Sequence, residues 1–491
     1  MNIYLKNHNF DYEIENICRL FFPNEKFIAI KDDIKDNLNP PYVYTERKSM
    51  KDNQIIYVKV NFNNKEEFNQ VYVNNSLQDL DNECERKMAI QLFLILSKLT
   101  SLNPPWGILT GIRPVKLMRK LIEEMGRENT LSYFKNEFLV NDDKINLCIK
   151  TLDIEQKVLN LSSVNSFSLY ISIPFCPSRC SYCSFVSQSI EKAAKLIPDY
   201  IDLLCEEIKY TAKISKSLDL KLETVYIGGG TPTTLSSFQL EKLISNINIC
   251  FDMKSCMEFT IEAGRPDTIT VEKLLIMKQG GVTRISINPQ TLNDKVLNII
   301  GRNHTSKQTL DLYNLTRELG FKNINMDLIA GLPCDNYSSF CNTLDKIIKL
   351  TPQSITVHTL SMKKASNLTV KGEKLNCENS KIASQMLDFS IKRLTNNHYL
   401  PYYLYRQTRM VGNLENVGWS KSGYEGLYNI YVMDETHTIL SCGAGAVTKL
   451  KDPNSDYLER IFNFKFPYEY IYQFKEMIRR KEQVKLFYDK L

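Results

Sequence analysis

No stretch of this 491-residue chain is long and apolar enough to cross a bilayer. The longest apolar run, "AIQLFLILSKL" (Ala89–Leu99), is short and interrupted. The opening "MNIYLKNHNFDYEIENICRL" has neither the basic start nor the apolar core of a secretion signal, so a cytoplasmic protein without a membrane span is expected. Charge of one sign is lacking as well. Lys+Arg number 62 and Asp+Glu 56, a balance of 62 − 56 = +6. That is too weak at this length to argue for nucleic acid, and it suits a small anionic substrate equally well. Internal repeats and long low-complexity stretches are absent. What remains is 43% apolar and 24% charged, an ordinary globular composition with length for two or three domains.

Ten of the thirteen cysteines are scattered singly, and in a reducing cytosol they read as small buried hydrophobes rather than a disulfide framework. The other three fall together in "PFCPSRCSYCSF", at Cys176, Cys180 and Cys183. Structural zinc takes four Cys or His ligands, commonly as two separated pairs. This stretch has no histidine, and the chain has no second CxxC. Three thiols in a CxxxCxxC spacing suit three corners of an iron–sulfur cube, with one iron left open. Tyr182 and Phe185 beside Cys183 can pack over such a group, or serve ordinary loop packing.

From Leu169 onward, strand-like and helix-like segments alternate. The strand candidates are "LYISI" (169–173), "TVYIG" (224–228), "MEFTI" (257–261), "VTRISI" (282–287), "INMDLIA" (324–330) and "SITVHTL" (354–360). Helices are expected between them, as at 198–214 and 237–249. Six βα units predict a parallel sheet with helices outside, an open (β/α)6 barrel short of the eight units that close a full one. The predicted class is therefore α/β, a partial TIM-like barrel over 163–400, with an N-terminal α+β domain over 1–162 and a C-terminal α+β extension over 401–491. In the N-terminal part, strands are expected at 26–30, 54–60 and 70–73 and a helix near 82–100, with 35–53 polar and mobile. A helix and linker at 151–168 lead into the barrel. "NPPWGILTGIRP" reads as a rigid connection or as a cover for the barrel mouth. Toward the C-terminus, "NIYVMDETHTILSCGAGAV" suggests strands and a glycine-rich turn. A surface helix at 467–487 ends the chain, with its "RRK" (479–481) solvated.

Functional residues in such a sheet belong at the C-terminal strand ends. After the second strand comes "GGGTPT", whose glycines either bring backbone N–H groups close to a ligand or make a tight turn. The third strand ends at Glu262, the fourth at Gln290, and Arg302 follows in "GRNH" with a planar fork suited to a carboxylate. On the fifth, Asp327 is expected within apolar surroundings, and "IAGLP" is a candidate adenine wall.

CxxxCxxC after a first barrel strand resembles the signature of the radical S-adenosylmethionine (SAM) superfamily. That resemblance implies a [4Fe-4S] cluster on Cys176, Cys180 and Cys183, SAM on the open iron, and a 5′-deoxyadenosyl radical. In order, "YISIPFCPSRCSYCSF", "VYIGGGTPTTL", "TIEAGRPD", "RISINPQTLND", "NMDLIAGLP" and "GAGAVTKL" resemble the oxygen-independent coproporphyrinogen III oxidase family over Phe167 to about Leu450. Residues 103–124 and 409–431 look like its HemZ type. The resemblance implies cofactor contacts from Tyr170, Tyr182, Gly229, Gly230, Thr231, Glu262, Gln290, Arg302 and Asp327, with Tyr170 and Glu262 as the catalytic pair. It also implies a porphyrinogen substrate that loses two propionate carboxylates, and an electron donor such as flavodoxin or ferredoxin. Arg113, Arg406, Arg409 and Lys421 are candidates by charge for the propionates.

Two positions depart from the characterised oxidases. Phe185 stands where they carry a fourth cysteine, and Ser172 stands where they have the histidine of YxHIP. A sister branch that also ends its motif in CxF is associated with haem binding and delivery. A haem-binding trafficking protein that keeps the cluster is therefore the second expectation, with His358 or His437 as haem ligand. A radical enzyme acting on another anionic substrate is the third.

Overall fold

The computed structural model describes residues 1–31, 38–183, 187–361, 377–407 and 410–491. Phe185 and Arg409 lie outside the described residues. The chain divides into two compact units, one built mainly from Met1–Ile149 and the other running mainly from Lys150 to Leu491. No described helix is long and apolar enough to cross a membrane.

In the first unit, β1 (Asn2–Lys6), β2 (Ile28–Lys31), β3 (Tyr42–Ser49), β4 (Asn53–Phe62) and β5 (Lys65–Asn74) form one sheet in the order β2-β1-β3-β4-β5. Alternation explains β4: Ile56, Val58 and Val60 are fully buried while Ile55, Tyr57 and Lys59 are half-buried. The buried face packs with α1 (Asp11–Phe21) and α2 (Leu80–Thr100) in one apolar core. The strands at 26–30, 54–60 and 70–73 and the helix near 82–100 are present. Within the stretch 35–53, expected to be polar and mobile, the described residues 38–53 contain β3, the central strand, in which Tyr42, Val43, Thr45 and Glu46 are buried. In "NPPWGILTGIRP", Trp106 is buried and Gly107 lies where a Cβ would come 2.0 Å from the Phe138 carbonyl oxygen, which makes this a fixed loop.

The second unit holds an eleven-stranded sheet. Its centre is β6 (Ser166–Ile173), β9 (Lys221–Gly229), β10 (Glu258–Glu262), β11 (Arg284–Gln290), β12 (Asn323–Ala330) and β13 (Ser354–Thr359), parallel neighbours in chain order. Two short strands follow β6: β7 (Phe175–Cys176) and β8 (Gln188–Ser189), paired with each other. Beyond β13 lie β15 (Glu415–Ser420), antiparallel to it, and β14 (Leu400–Arg406) at the edge. Beyond β6 lie β16 (Thr438–Cys442), parallel to it, then β17 (Val447–Lys451) and β18 (Leu458–Phe462), both antiparallel. The architecture is the expected open partial barrel, with β16 adding a seventh parallel strand. Helices Ile197–Ser217 and Ser237–Cys250 lie where expected, and the second starts with a capping box of Ser236 and Gln239.

Period-two patterning divides the two faces of this sheet. Leu169, Ile171, Val225, Ile227, Ile285 and Ile287 are wholly buried on one face. Ser168, Tyr170, Thr224, Tyr226, Glu262, Ser286, Asn325, Asp327 and Thr356 alternate with them on the other. A closed barrel fills its interior with branched apolar side chains. Here the interior is polar and cross-linked: Ser168 Oγ lies 2.6 Å from Thr224 Oγ1, and Asn325 Nδ2 donates to Ser286 Oγ at 2.8 Å.

The start of the stretch 429–447, expected to hold strands and a glycine-rich turn, is part of a helix (Leu427–Asp434). Its β-branched and aromatic residues favour a strand locally. A distant carboxylate overrides that preference: Glu258 accepts the N–H of Leu427 at 3.0 Å and of Tyr428 at 3.2 Å, capping the helix. The final helical stretch is two helices, Pro467–Tyr472 and Phe474–Tyr488. Within "RRK", Arg479 is exposed, but Lys481 is buried and paired with Glu207.

Candidate active site

The cysteines follow β6 immediately, at the C-terminal end of the parallel strands. Two neighbouring loops fasten them. Gly230 N–H donates to Ile173 O at 2.8 Å and Thr231 N–H to Phe175 O at 2.7 Å. Ser181 N–H donates to Ile300 O at 3.0 Å. Thr231 Oγ1 donates to Cys176 Sγ at 3.5 Å. The glycine run thus brings two pieces of this chain together. A Cβ on Gly230 would lie 2.6 Å from Phe175 O, and Gly229 has φ +104°.

Glu262, at the tip of β10, accepts the Tyr226 hydroxyl at 2.6 Å. Burial raises its pKa to about 7, against the Tyr226 hydrogen bond, which lowers it; Asp327 adds to the rise. No Lys or Arg among the described residues forms an ion pair with it, so the salt bridge that would make it merely structural is not there. Tyr226 itself titrates well above its ordinary value because it is buried beside Glu262, so it remains the donor. Below them, Tyr226 stacks on Tyr428 with centroids 4.5 Å apart, and Tyr170 lies parallel to both at 6.3 and 6.2 Å. Tyr428 was not expected from the sequence, since only the capped helix brings it here.

Asp327 does not have the apolar surroundings expected of it. Asn325 Nδ2 donates to Oδ1 at 2.7 Å, and His358 Nε2 stands 3.8 Å from Oδ2. Burial works to raise its pKa, but His358, Asn325 and Thr356 outweigh it and hold the carboxyl below its usual range. The cause is the polar inner face, which the strand pattern alone does not reveal.

Arg302 is buried, and much of its fork is taken up by the chain. Nη1 donates to Gly264 O at 3.0 Å and Asn288 O at 2.6 Å, and Nη2 to the Tyr182 hydroxyl at 3.2 Å. Its Nε is buried with no hydrogen-bond partner. Gln290 Oε1 is likewise buried and unsatisfied, on a residue with φ 64° after a register shift in β11. Strained backbone and orphaned polar atoms at strand ends fit a site that completes its hydrogen bonds with a ligand. Among the described residues no three His, Cys, Asp or Glu side chains converge on one point as a single ion requires. A four-iron cube instead spreads its thiolates over its corners.

Arg406 stacks over Trp106 at 5.1 Å and donates to the carbonyls of Leu109 and Asn413. Lys421 follows β15, whose Ser420 pairs with Ser354 at the start of β13, the sheet end opposite the cysteines. Lys421 is therefore not placed for a substrate at the C-terminal strand ends. Arg113 immediately precedes helix Pro114–Met125 in the first unit. His437 is buried at that opposite end too, with Ser162 and Ser168 hydroxyls 3.0 and 2.7 Å from its ring nitrogens, and burial drops its pKa to about 3. Both ring nitrogens are engaged by serine hydroxyls. Ser172 is bound into the β6–β16 junction, its hydroxyl donating to Ala444 O at 2.8 Å.

Residues 170–347 match the family model described as the Radical SAM superfamily. The chain is 40% identical over 398 residues to the oxygen-independent coproporphyrinogen-III oxidase-like protein HemZ of Bacillus subtilis, covering 79% of each chain. It is 31% identical over 311 residues to the heme chaperone HemW of the same organism, covering 61% of this chain and 77% of that one. Among solved structures, the coproporphyrinogen III oxidase HemN of Escherichia coli, a radical SAM enzyme, superposes with a TM-score of 0.53 at 24% identity, over 66% of this chain and 72% of the other.

Proposed function

The chain belongs to the HemZ-type family of radical SAM proteins, and from that premise we propose that it decarboxylates propionate arms of coproporphyrinogen III to vinyl groups. A [4Fe-4S] cluster and SAM, when bound, supply the radical that takes a hydrogen atom from an unactivated C–H bond. Cys176, Cys180 and Cys183 are the cluster ligands. Gly229, Gly230, Thr231, Glu262, Gln290, Arg302 and Asp327 form the SAM cradle with Tyr170 and Tyr182. Per arm, the substrate loses one hydrogen atom, one CO2 and one electron, and the electron passes to an external one-electron acceptor.

One observation carries this reading: a near-neutral carboxyl on Glu262, a second carboxyl on Asp327 held ionised, and two orphaned buried polar atoms meet at the strand ends above the cysteine loop. Tyr226 fixes the Glu262 carboxyl from one side and leaves Oε2 for ligand hydroxyls or an ammonium. The Tyr170–Tyr226–Tyr428 stack floors the site and excludes water from below. The engagement of His437 by two serines supports an enzyme over a carrier that ligates haem through that histidine.

A haem carrier is the second reading, favoured by the likeness to a heme chaperone and by the residues at 172 and 185. The test is anaerobic incubation of reconstituted protein with SAM, reductant and coproporphyrinogen III. The oxidase yields protoporphyrinogen IX and 5′-deoxyadenosine together. SAM cleavage without porphyrin turnover, joined to tight haem binding, would replace it with the carrier. Alanine at Cys176, Cys180 or Cys183 is expected to abolish iron retention and SAM cleavage alike.

A further inference from the structure

The loop after β10 carries an arginine for which the site above has no role. Arg265 is 3% exposed. Its guanidinium grips Asp267 through both edges of the fork, Nε to Oδ1 at 3.1 Å and Nη2 to Oδ2 at 3.2 Å. The N–H groups left over meet the cysteine loop. Nη2 donates to Ser178 Oγ at 3.1 Å, and Nη1 reaches Ser178 O at 3.5 Å and Cys180 Sγ at 3.8 Å. Ser178 Oγ donates onward to Gly301 O at 2.9 Å. One planar group therefore bridges the loop after β10 and the segment between the first two cysteines.

This geometry does two things. Asp267 pins the guanidinium bidentately, so its remaining donors are fixed in direction and little entropy is lost in using them. One of those donors meets the sulfur of Cys180, the most buried of the three thiols at 9% exposure. A hydrogen bond to a ligand sulfur stabilises the more negative, reduced state of an iron–sulfur cluster and raises its reduction potential. Asp267 compensates much of the arginine's charge, so the directional N–H to sulfur contact carries the effect more than distant charge does.

We propose that Arg265 is a positioning residue for the cluster: clamped by Asp267, it fastens the cysteine loop through Ser178 and raises the cluster potential through Cys180 Sγ. This rests on Cys180 being a cluster ligand, as read above. The test uses the reconstituted full-length protein, with iron and sulfide counted per chain and the midpoint potential read by EPR-monitored redox titration. R265Q is expected to keep its full iron and to show a lower midpoint than wild type. Full iron at the wild-type midpoint would overturn the proposal. Should R265Q lose iron, R265K decides: full iron with a lowered midpoint supports the role, and full iron at the wild-type midpoint ends it. Loss of iron in both variants would overturn the tuning of the potential and leave Arg265 only as a fastener of the loop. The underlying ligand assignment fails separately, if C180A retains a full cluster.

Discussion

Glu262 keeps its proton to about pH 7 because burial penalises its charged form more than the Tyr226 hydroxyl stabilises it. Folded and unfolded chains therefore differ in bound protons between pH 4.5, the ordinary value, and about 7. Across that window the folded chain holds the proton and the unfolded chain does not, so stability falls as pH rises. By pH 8 the cost is on the order of 3 kcal/mol. E262Q removes the ionisation and is expected to flatten the pH profile of stability, gaining on wild type above pH 7. Ligand hydroxyls or an ammonium on this carboxyl require its charged form. SAM binding at pH 6.5 is then expected to release a proton, visible in calorimetry as a heat that depends on the buffer's ionisation enthalpy. E262Q is expected to show no such dependence. Y226F removes the hydrogen bond that lowers the pKa, so its proton release is expected to persist to higher pH. A buffer-independent heat in wild type would show that Glu262 does not meet the cofactor.

At the scale of elements, the turn from β6 into the cysteine loop depends on Gly230. A methyl group there would press on Phe175 O at 2.6 Å and Ile173 O at 2.8 Å, both backbone atoms that cannot swing away. G230A is expected to cost about 1–3 kcal/mol through overpacking and to break the Gly230 and Thr231 amide bonds to β6 and β7. Reconstituted G230A should hold less iron than wild type although all three cysteines remain; equal iron would mean the loop is placed by other contacts. The six central strands were legible because Leu169, Ile171, Val225 and their counterparts recur at every second position and face one layer of helices. The strand ends were legible as a candidate site because Glu262, Gln290 and Asp327 interrupt those runs with polar groups. Their company was not. Tyr428, His358 beside Asp327, and the Glu258 cap on helix Leu427–Asp434 are long-range contacts with no periodic signature. Central β3 was hidden for a related reason, since its buried residues include the polar Thr45 and Glu46, which read as loop.

For the molecule as a whole, the second unit must fasten β16, its last parallel strand, and the C-terminal helices to the rest of its sheet. Glu207, on helix Ile197–Ser217, is fully buried and forms an ion pair with Lys481 at 2.9 Å. The same carboxylate accepts Gly443 N–H at 2.7 Å, Tyr470 Oη–H at 2.7 Å and Asn463 Nδ2–H at 2.8 Å. Burial alone would lower the Lys481 pKa, but Glu207 raises it above its ordinary value, so the lysine is held charged. These donors come from the turn after β16, the stretch after β18 and both C-terminal helices, so one side chain ties together elements far apart in sequence. Removing one member of such a pair leaves a buried charge uncompensated, at about 3–5 kcal/mol. A chain of two units does not unfold in a single step, so the loss is better read locally than from a melting temperature. In E207A, amide hydrogen exchange is expected to quicken in Thr438–Cys442 and Phe474–Tyr488 while β10 and β11 exchange as in wild type. E207Q/K481M keeps an acceptor for Gly443 and removes the stranded charge, and should restore much of the protection. Equal exchange in E207A and wild type would mean that apolar packing by Met477, Val484 and Phe487 holds the last helix unaided.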